Sequence, residues 1–189
     1  MKKGVKWSIL LVSLAVVMAG VLGIVWVAHR PVTPTNQLKS SQQPISVAPL
    51  AGYHVPSFSL PSFPDSQPIS LADYQGKAVL INFWASWCPS CQSETPDLVK
   101  ASAKYGDKVQ FIGVNLSSQD SLSDVTAFLE KYGIKYPIVM DTKGTVAQQF
   151  QTMAIPTTFF VNRQGIIVDR YVGAITPQVL EEDLQKISQ

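Results

Sequence analysis

From about residue 58 to the C-terminus, hydrophobic residues fall into short apolar runs that alternate with amphipathic segments. The runs are rich in β-branched and aromatic residues, which predicts buried strands; they lie at 78–85, 111–116, 136–140 and 157–161. The segments between them predict helices; these lie at 89–105, 123–132, 145–150 and from Thr176 onward. Strands that alternate with helices favour a mixed α/β sheet with helices on both faces.

Turn and proline signals refine this outline. Alternating segments at 58–60 and 69–71 favour a small N-terminal hairpin. A turn-rich linker at 162–165 joins two strands in a terminal hairpin, the second of them at 166–172. Pro96 falls inside the first predicted helix and lacks a backbone donor, so we expect a kink there; the alternative is that the helix ends early.

The N-terminus carries a different pattern, because residues 7–28 are uncharged and mostly apolar. A helix of that length measures about 33 Å, enough to cross a hydrocarbon core of about 30 Å. The run exceeds the roughly 7–15 apolar residues of a signal peptide, and cleavage after Ala28 would place the bulky Trp26 where a small residue is needed. We therefore expect residues 1–28 to be a retained transmembrane anchor. Three lysines precede the run, which predicts a cytoplasmic N-terminus and an extracytoplasmic domain.

Composition divides the rest of the chain into a linker and one domain. Residues 29–54 are rich in Pro, Ser, Thr and Gln without an apolar period, which is typical of a tether. Residues 55–189 are long enough for one compact domain. All thirteen acidic residues lie in that domain against ten of the fifteen basic ones, so its formal charge is −3 although the whole chain has +2. This balance gives no support to nucleic-acid binding.

The chain has two cysteines, separated by two residues in the Trp-Cys-Pro-Ser-Cys segment at 87–91. A lone Cys-x-x-Cys predicts a redox-active dithiol that cycles to a disulfide without a further cofactor. A zinc site needs about four ligands, whereas both histidines precede the predicted domain. Covalent haem attachment needs His after the second Cys, where Gln92 stands. A purely structural bridge across so short a loop would stabilise the fold little.

The two cysteines are expected to have different roles. Cys88 lies where the strand 78–85 passes into the helix 89–105, and the unpaired N–H groups at a helix start stabilise a thiolate. We expect Cys88 to be the exposed nucleophile and Cys91, one turn further along, to be its shielded partner. Trp87, next to the reactive sulfur, is a candidate docking surface for substrates.

Glu94 follows Cys91 by three residues and therefore lies on the same face of the predicted helix. A carboxylate beside a buried thiol can take its proton and release it as a nucleophile. The alternative is an ordinary solvated glutamate. Further along the chain, Ile155 and Pro156 precede a predicted strand, and base rates for X-Pro bonds favour a trans peptide bond between them.

Together these residues resemble the thioredoxin superfamily, and within it the membrane-anchored ResA/TlpA-type thiol-disulfide oxidoreductases. The resemblance rests on the run at 83–91, on Pro96 behind it, and on residues 155–157 before a terminal hairpin. It covers about residues 55–189.

Three details are similar to the ResA/TlpA branch in particular. Cys91 and Pro156 are 65 positions apart, which leaves room for an extra helix and strand at about 119–141. Asn82 stands where thioredoxins usually have a buried Asp. Glu94 stands where ResA-type proteins have a Glu.

The resemblance implies a thioredoxin-like fold that follows one transmembrane helix, with Cys88, Cys91 and Glu94 in catalysis. It implies a cis peptide bond before Pro156. It also implies reduction of disulfides in apocytochrome c or other envelope proteins, with electrons from a membrane thiol carrier of the CcdA type and no metal. The residues expected to contact substrate are Trp87, Pro89, Ile155 and Pro156.

Other functions stay open at this point. The chain departs from ResA in its Pro89-Ser90 pair, which tunes the reduction potential, so an extracytoplasmic oxidase or isomerase is the alternative. A thiol peroxidase of the peroxiredoxin group shares the fold, but Ala85 stands where that group usually has Thr. A non-catalytic docking module would have no use for the Cys pair.

The predicted anchor can be tested by the accessibility of the domain to protease. Protease added to intact spheroplasts that produce the full chain should remove the residues after about Arg30, because the positive-inside rule places them outside. The products are identified by mass spectrometry. A fully protected domain, or a freely secreted one that lacks residues 1–28, would contradict the predicted topology.

Overall fold

The computed structural model describes residues 46–189, and the elements in this part of the chain lie within a few residues of the predicted ones. The strands are β1 (Ser59–Phe63), β2 (Pro68–Ser70), β3 (Ala78–Trp84), β4 (Val109–Asn115), β5 (Ile138–Met140), β6 (Thr157–Val161) and β7 (Ile167–Val172). The helices are α1 (Pro89–Tyr105), α2 (Leu122–Tyr132), α3 (Thr145–Gln149) and α4 (Pro177–Ile187), with a 3-10 helix at Leu71–Tyr74.

The seven strands of this part form a mixed sheet in the order β2-β1-β5-β4-β3-β6-β7. Parallel pairing joins β3 to β4 and β4 to β5, whereas the outer strands pair antiparallel. Strand β3 is buried along its whole length, as its unbroken apolar run predicts for a strand covered on both faces. The predicted hairpins are present as β1–β2 and β6–β7.

Alternate residues of β3 point to opposite faces of the sheet. Ile81 and Phe83 belong to a core that includes Phe150 at the end of α3, with the Phe83 and Phe150 ring centroids 5.2 Å apart. Leu80 belongs to a second core that contains Leu98 of α1 and residues of α4. The prediction of helices on both faces of a mixed sheet is therefore confirmed.

Helix α1 begins at the first cysteine, with Cys88 as its N-cap residue and Pro89 at the first helical position, where the missing N–H costs nothing. The helix continues through Pro96 to Tyr105, so the alternative that it ends early is wrong. Its first turns are fixed by local bonds, which include a 2.6 Å bond from the Thr95 hydroxyl to the Cys91 carbonyl.

The additional helix and strand predicted at about 119–141 are α2 and β5. Helix α2 starts at Ser121, whose hydroxyl accepts from the Asp124 N–H, and it stops at Gly133, which adopts the left-handed conformation. Phe128 of α2 stacks on Trp84 at the end of β3, with ring centroids 4.5 Å apart. The insertion therefore lies beside the end of β3 that leads into the Cys pair.

Part of the predicted linker 29–54 belongs to this fold. Val47 and His54 form a β-bridge, and the N–H groups of Gly52 and Val55 donate to carbonyls of Ile167 and Gly165. Ordered contacts with the domain thus begin before Val55, because the chain pairs with the β6–β7 hairpin. The rest of the linker and the predicted anchor 1–28 lie outside the described residues. Within residues 46–189, no helix combines the length and apolar character that a membrane span needs.

Candidate active site

The Cys pair lies where β3 passes into α1, as the sequence predicts. After β3 ends, the Cys88 N–H closes a turn onto the Ala85 carbonyl at 3.2 Å. Cys88 and Cys91 form a disulfide, with Cα atoms 5.2 Å apart. The Cys91 N–H points at the Cys88 sulfur at 3.1 Å. In the reduced protein, the same N–H and the helix start stabilise a negative charge on Cys88.

The expectation that Cys88 is an exposed residue is wrong for the disulfide form. Cys88 is 4% exposed and Cys91 is 1% exposed, so Cys88 is only slightly the more accessible of the two. The Ile155 carbonyl lies 3.8 Å from the Cys88 sulfur and covers it from the opposite loop. Trp87 instead occupies the exposed position, with 52% of its surface accessible, while Trp84 is buried as expected.

The four residues expected to contact substrate differ in how exposed they are. Trp87 and Pro89 flank Cys88 and are exposed, Ile155 is half-buried, and Pro156 is buried. The peptide bond between Ile155 and Pro156 is cis, as the family resemblance implies and against the base rate for X-Pro bonds. Contact of these side chains with substrate stays a prediction.

Glu94 is not a solvated surface residue, because only 2% of it is exposed. Its carboxylate accepts two hydrogen bonds of 2.9 Å, from the Asn82 amide of β3 and from the Ile175 N–H just before α4. The same Asn82 amide donates to the Thr158 hydroxyl of β6 at 3.0 Å. Helix α1, strand β3 and the start of α4 therefore meet at this acid, and the Asn82 amide links it to β6.

Burial raises the pKa of Glu94 from its ordinary value of 4.5 to about 7, although the bonds from Ile175 and Asn82 act in the opposite direction. A group with a pKa near 7 is available in both protonation states at neutral pH, which suits proton transfer. Glu94 lies one turn after the buried Cys91 on the same helix. The predicted acid/base role of Glu94 is compatible with this geometry and stays a prediction.

Sequence reasoning missed several hydrogen bonds of the site. In the sequence Asn82 is only a mark of the family, but it sits on the face of β3 that holds Leu80, toward α1, so strand alternation could have pointed to its bond with Glu94. The donor of Ile175 is a backbone N–H from a distant loop, for which the sequence carries no signal. The sequence also carries no signal for Asp120, whose carboxylate accepts hydrogen bonds from the N–H and the hydroxyl of Ser86, just before the Cys pair.

Metal binding and peroxide reduction would each need particular side chains close to the Cys pair. Among residues 46–189, no three His, Cys, Asp or Glu side chains come together as a possible metal site. The two arginines of this part are engaged elsewhere, because Arg170 donates to the Gln151 carbonyl at 2.7 Å and Arg163 reaches the Ser188 carbonyl at 3.5 Å. Neither has a hydrogen bond at Cys88 that would equip the site to polarise a peroxide.

A Cys-x-x-Cys disulfide at a helix start, faced by a cis proline on a mixed sheet, defines a thioredoxin-like protein thiol-disulfide oxidoreductase. The family model described as the AhpC/TSA family matches residues 51–170, and the chain belongs to that family. The resemblance to ResA-type oxidoreductases is confirmed by named relatives.

Two curated proteins and one solved structure illustrate the similarity. Thioredoxin-like protein YneN of Bacillus subtilis is 38% identical over 134 residues, which cover 70% of this chain and 78% of that protein. Thiol-disulfide oxidoreductase ResA of Bacillus thuringiensis subsp. konkukian is 30% identical over 138 residues, covering 72% and 78%. The crystal structure of a thioredoxin-family thiol:disulfide interchange protein from Chlorobium tepidum has 28% identity and a TM-score of 0.65, covering 72% of this chain and 96% of that one.

The raised pKa of Glu94 predicts a pH-dependent loss of stability. Below about pH 4.5 the carboxyl is protonated in both the folded and the unfolded chain, and between 4.5 and about 7 the folded chain holds the proton more tightly. Stability should therefore fall as pH rises through this window. From pH 4.5 to 8, the free energy of unfolding of the parent should fall by about 3 kcal/mol more than that of Glu94→Gln, measured by urea unfolding of the disulfide form.

Glu182→Gln is the matched control, since Glu182 is an exposed glutamate of α4, and this variant should follow the parent. In the reduced enzyme, Glu94→Gln should also exchange disulfides more slowly and with a flatter pH–rate profile, because the introduced amide does not titrate. Parent-like rates across the pH range would show that Glu94 has no proton role.

The two cysteines should differ in what they trap. Cys91→Ser removes the resolving thiol, so mixed disulfides with substrates should accumulate through Cys88. They are detected on non-reducing gels after thiol blocking. Cys88→Ser is the control and should trap nothing, because Cys91 lies inside the helix and lacks the N-cap position that stabilises a thiolate at Cys88. Trapping by Cys88→Ser alone would mean that the roles are reversed.

Proposed function

We propose that this enzyme is a membrane-anchored, extracytoplasmic reductase of disulfides in other proteins. The assignment to thiol-disulfide exchange comes from the Cys pair and the relatives reported above. The direction of electron flow and the cellular compartment are the proposed parts. The compartment is inferred from the long apolar run at 7–28 and from the lysines that precede it.

The buried carboxylate of Glu94 is the observation that carries the reducing direction. A dithiol is a strong oxidant in its disulfide form when its reduced form is selectively stabilised, as by positive charges beside a thiolate. Here the two intervening residues, Pro89 and Ser90, are uncharged, and a buried acid follows Cys91 by one turn. Glu94 therefore disfavours negative charge on the reduced Cys pair. This lowers the reduction potential of the pair and favours the reduction of substrate disulfides.

The reaction then runs in two exchange steps. The Cys88 thiolate attacks a substrate disulfide, forms a mixed disulfide and releases one substrate thiolate. Ionised Glu94 accepts the proton of Cys91, and the Cys91 thiolate attacks the Cys88 sulfur. This closes the Cys88–Cys91 disulfide and expels the second substrate thiolate, which takes the proton back from Glu94. The substrate disulfide gains two electrons and two protons, the second proton coming from solvent, and the enzyme dithiol is oxidised.

The proposed partners follow from the same chemistry. Because each turnover consumes the dithiol, a membrane thiol carrier of the CcdA type is the proposed electron donor. Apocytochrome c is the proposed substrate, since its haem-binding Cys-x-x-Cys-His segment has to be reduced before haem is attached. The relative named thiol-disulfide oxidoreductase ResA supports thiol-disulfide exchange as the chemistry.

A redox titration of the full chain against glutathione or dithiothreitol tests the direction. The Cys88–Cys91 couple should have a potential near that of thioredoxin, about −270 mV, and well below the roughly −120 mV of a strong oxidant such as DsbA. Thiol trapping followed by mass spectrometry measures the reduced fraction. A potential near the oxidant value would instead make the enzyme an oxidase or isomerase.

A peptide assay tests the substrate. The reduced chain should reduce the disulfide of an oxidised Cys-x-x-Cys-His peptide faster than that of a peptide of the same composition in scrambled order. Equal rates on both peptides would remove apocytochrome c as the preferred substrate without changing the direction of electron flow.

A further inference from the structure

The turn that carries the nucleophile is held from outside by side chains. Its first bond, from the Cys88 N–H to the Ala85 carbonyl, leaves the backbone groups of Ser86 without partners inside the turn. The Ser86 N–H donates to the Asp120 carboxylate at 2.7 Å. The Ser86 carbonyl accepts from the Gln92 amide at 2.8 Å. The conformation of the residues before Cys88 is therefore fixed by residues that do not belong to the turn.

Asp120 is the larger part of this support. Besides the Ser86 N–H, its carboxylate accepts from the Ser86 hydroxyl, from the Asn115 amide at 2.8 Å and from the Ser121 N–H at 3.0 Å. Each carboxylate oxygen thus faces two donors, which matches an acceptor-only group. Asn115 is fully buried at the end of β4, so the carboxylate is anchored on the sheet.

The residue before Asp120 supports the next position of the turn. The Gln119 carbonyl accepts from the Trp87 indole N–H at 2.8 Å. Gln119 and Asp120 thus hold both residues between Ala85 and Cys88, and both lie in the loop that leads into the inserted helix α2. The insertion contributes directly to the geometry of the Cys-bearing turn.

We propose that Asp120 is a positioning residue that keeps the Cys88 sulfur aligned with the start of α1. That alignment is visible as the 3.1 Å contact between the Cys91 N–H and the Cys88 sulfur. Displacement of a reacting atom by about 1 Å can cost roughly a hundredfold in rate. The inference rests on the proposed function in one respect, because it takes Cys88 as the attacking thiol.

Charge and position make opposite predictions for Asp120. If its negative charge were what mattered, removing the charge would favour the Cys88 thiolate and speed exchange at neutral pH. If position matters, removing the carboxylate slows even the fully ionised thiolate. The rate constant on the high-pH plateau, where Cys88 is ionised, isolates the second effect.

The test uses the full chain with Cys91→Ser, so that only Cys88 reacts, and the uncharged probe 4,4′-dithiodipyridine. The Cys88 thiolate attacks the probe disulfide, forms a mixed disulfide and releases one pyridinethiolate, which is followed by absorbance. Adding Asp120→Ala should lower the plateau rate constant at least about tenfold. Asp120→Asn keeps one acceptor oxygen and should fall between Asp120→Ala and the parent.

Asp124→Asn is the matched control, because Asp124 is a carboxylate at the same helix start and bonds to Ser121 but not to the turn. The plateau rate constant of the Asp124→Asn variant should equal that of the parent, even if urea unfolding shows that the variant is less stable. An Asp120→Ala plateau no lower than that of Asp124→Asn would overturn the inference and leave the proposed function intact. A parent chain with Cys91→Ser that fails to react would overturn both.

Discussion

The Glu94 side chain is only 2% exposed, so the fold itself must supply the hydrogen bonds of its carboxylate. It takes one from Asn82 on the central strand and one from the backbone before α4. The register of β3, the rotation of α1 about its axis and the entry of α4 must agree before both bonds can form. The proton transfer proposed for Glu94 thereby depends on tertiary structure, because the acid and the sheet beneath it form one hydrogen-bonded unit.

The inserted helix and strand support the other side of the Cys pair. Strand β5 adds a third strand to the parallel part of the sheet, and Phe128 of α2 stacks on Trp84. The connection between β4 and α2 then reaches the turn at Ser86. The reactive centre thus has a buried acid of α1 on one flank and, on the other, the loop that leads into the inserted helix.

Local patterns predict the elements well and the contacts between them poorly. The apolar run of β3 and the start of α1 were predictable, because burial and helix initiation depend on neighbouring residues. The burial of Cys88 was not, since the Ile155 carbonyl that approaches its sulfur lies 67 positions away in the sequence. Nor were the donors to Glu94 and the role of Asp120 as acceptor, because backbone groups and single polar side chains leave no periodic trace in a sequence.

The attachment of residues 47–54 to the β6–β7 hairpin has a consequence for reach. Gly165 and Ile167 lie at the end of the sheet where Val161 pairs with Val79, and β3 runs from there to the Cys pair over about 23 Å. The chain therefore enters the domain at the end of the sheet opposite the reactive sulfur. In the membrane-anchored enzyme proposed above, Cys88 would then be presented to its partners from the end of the domain that faces away from this entry point.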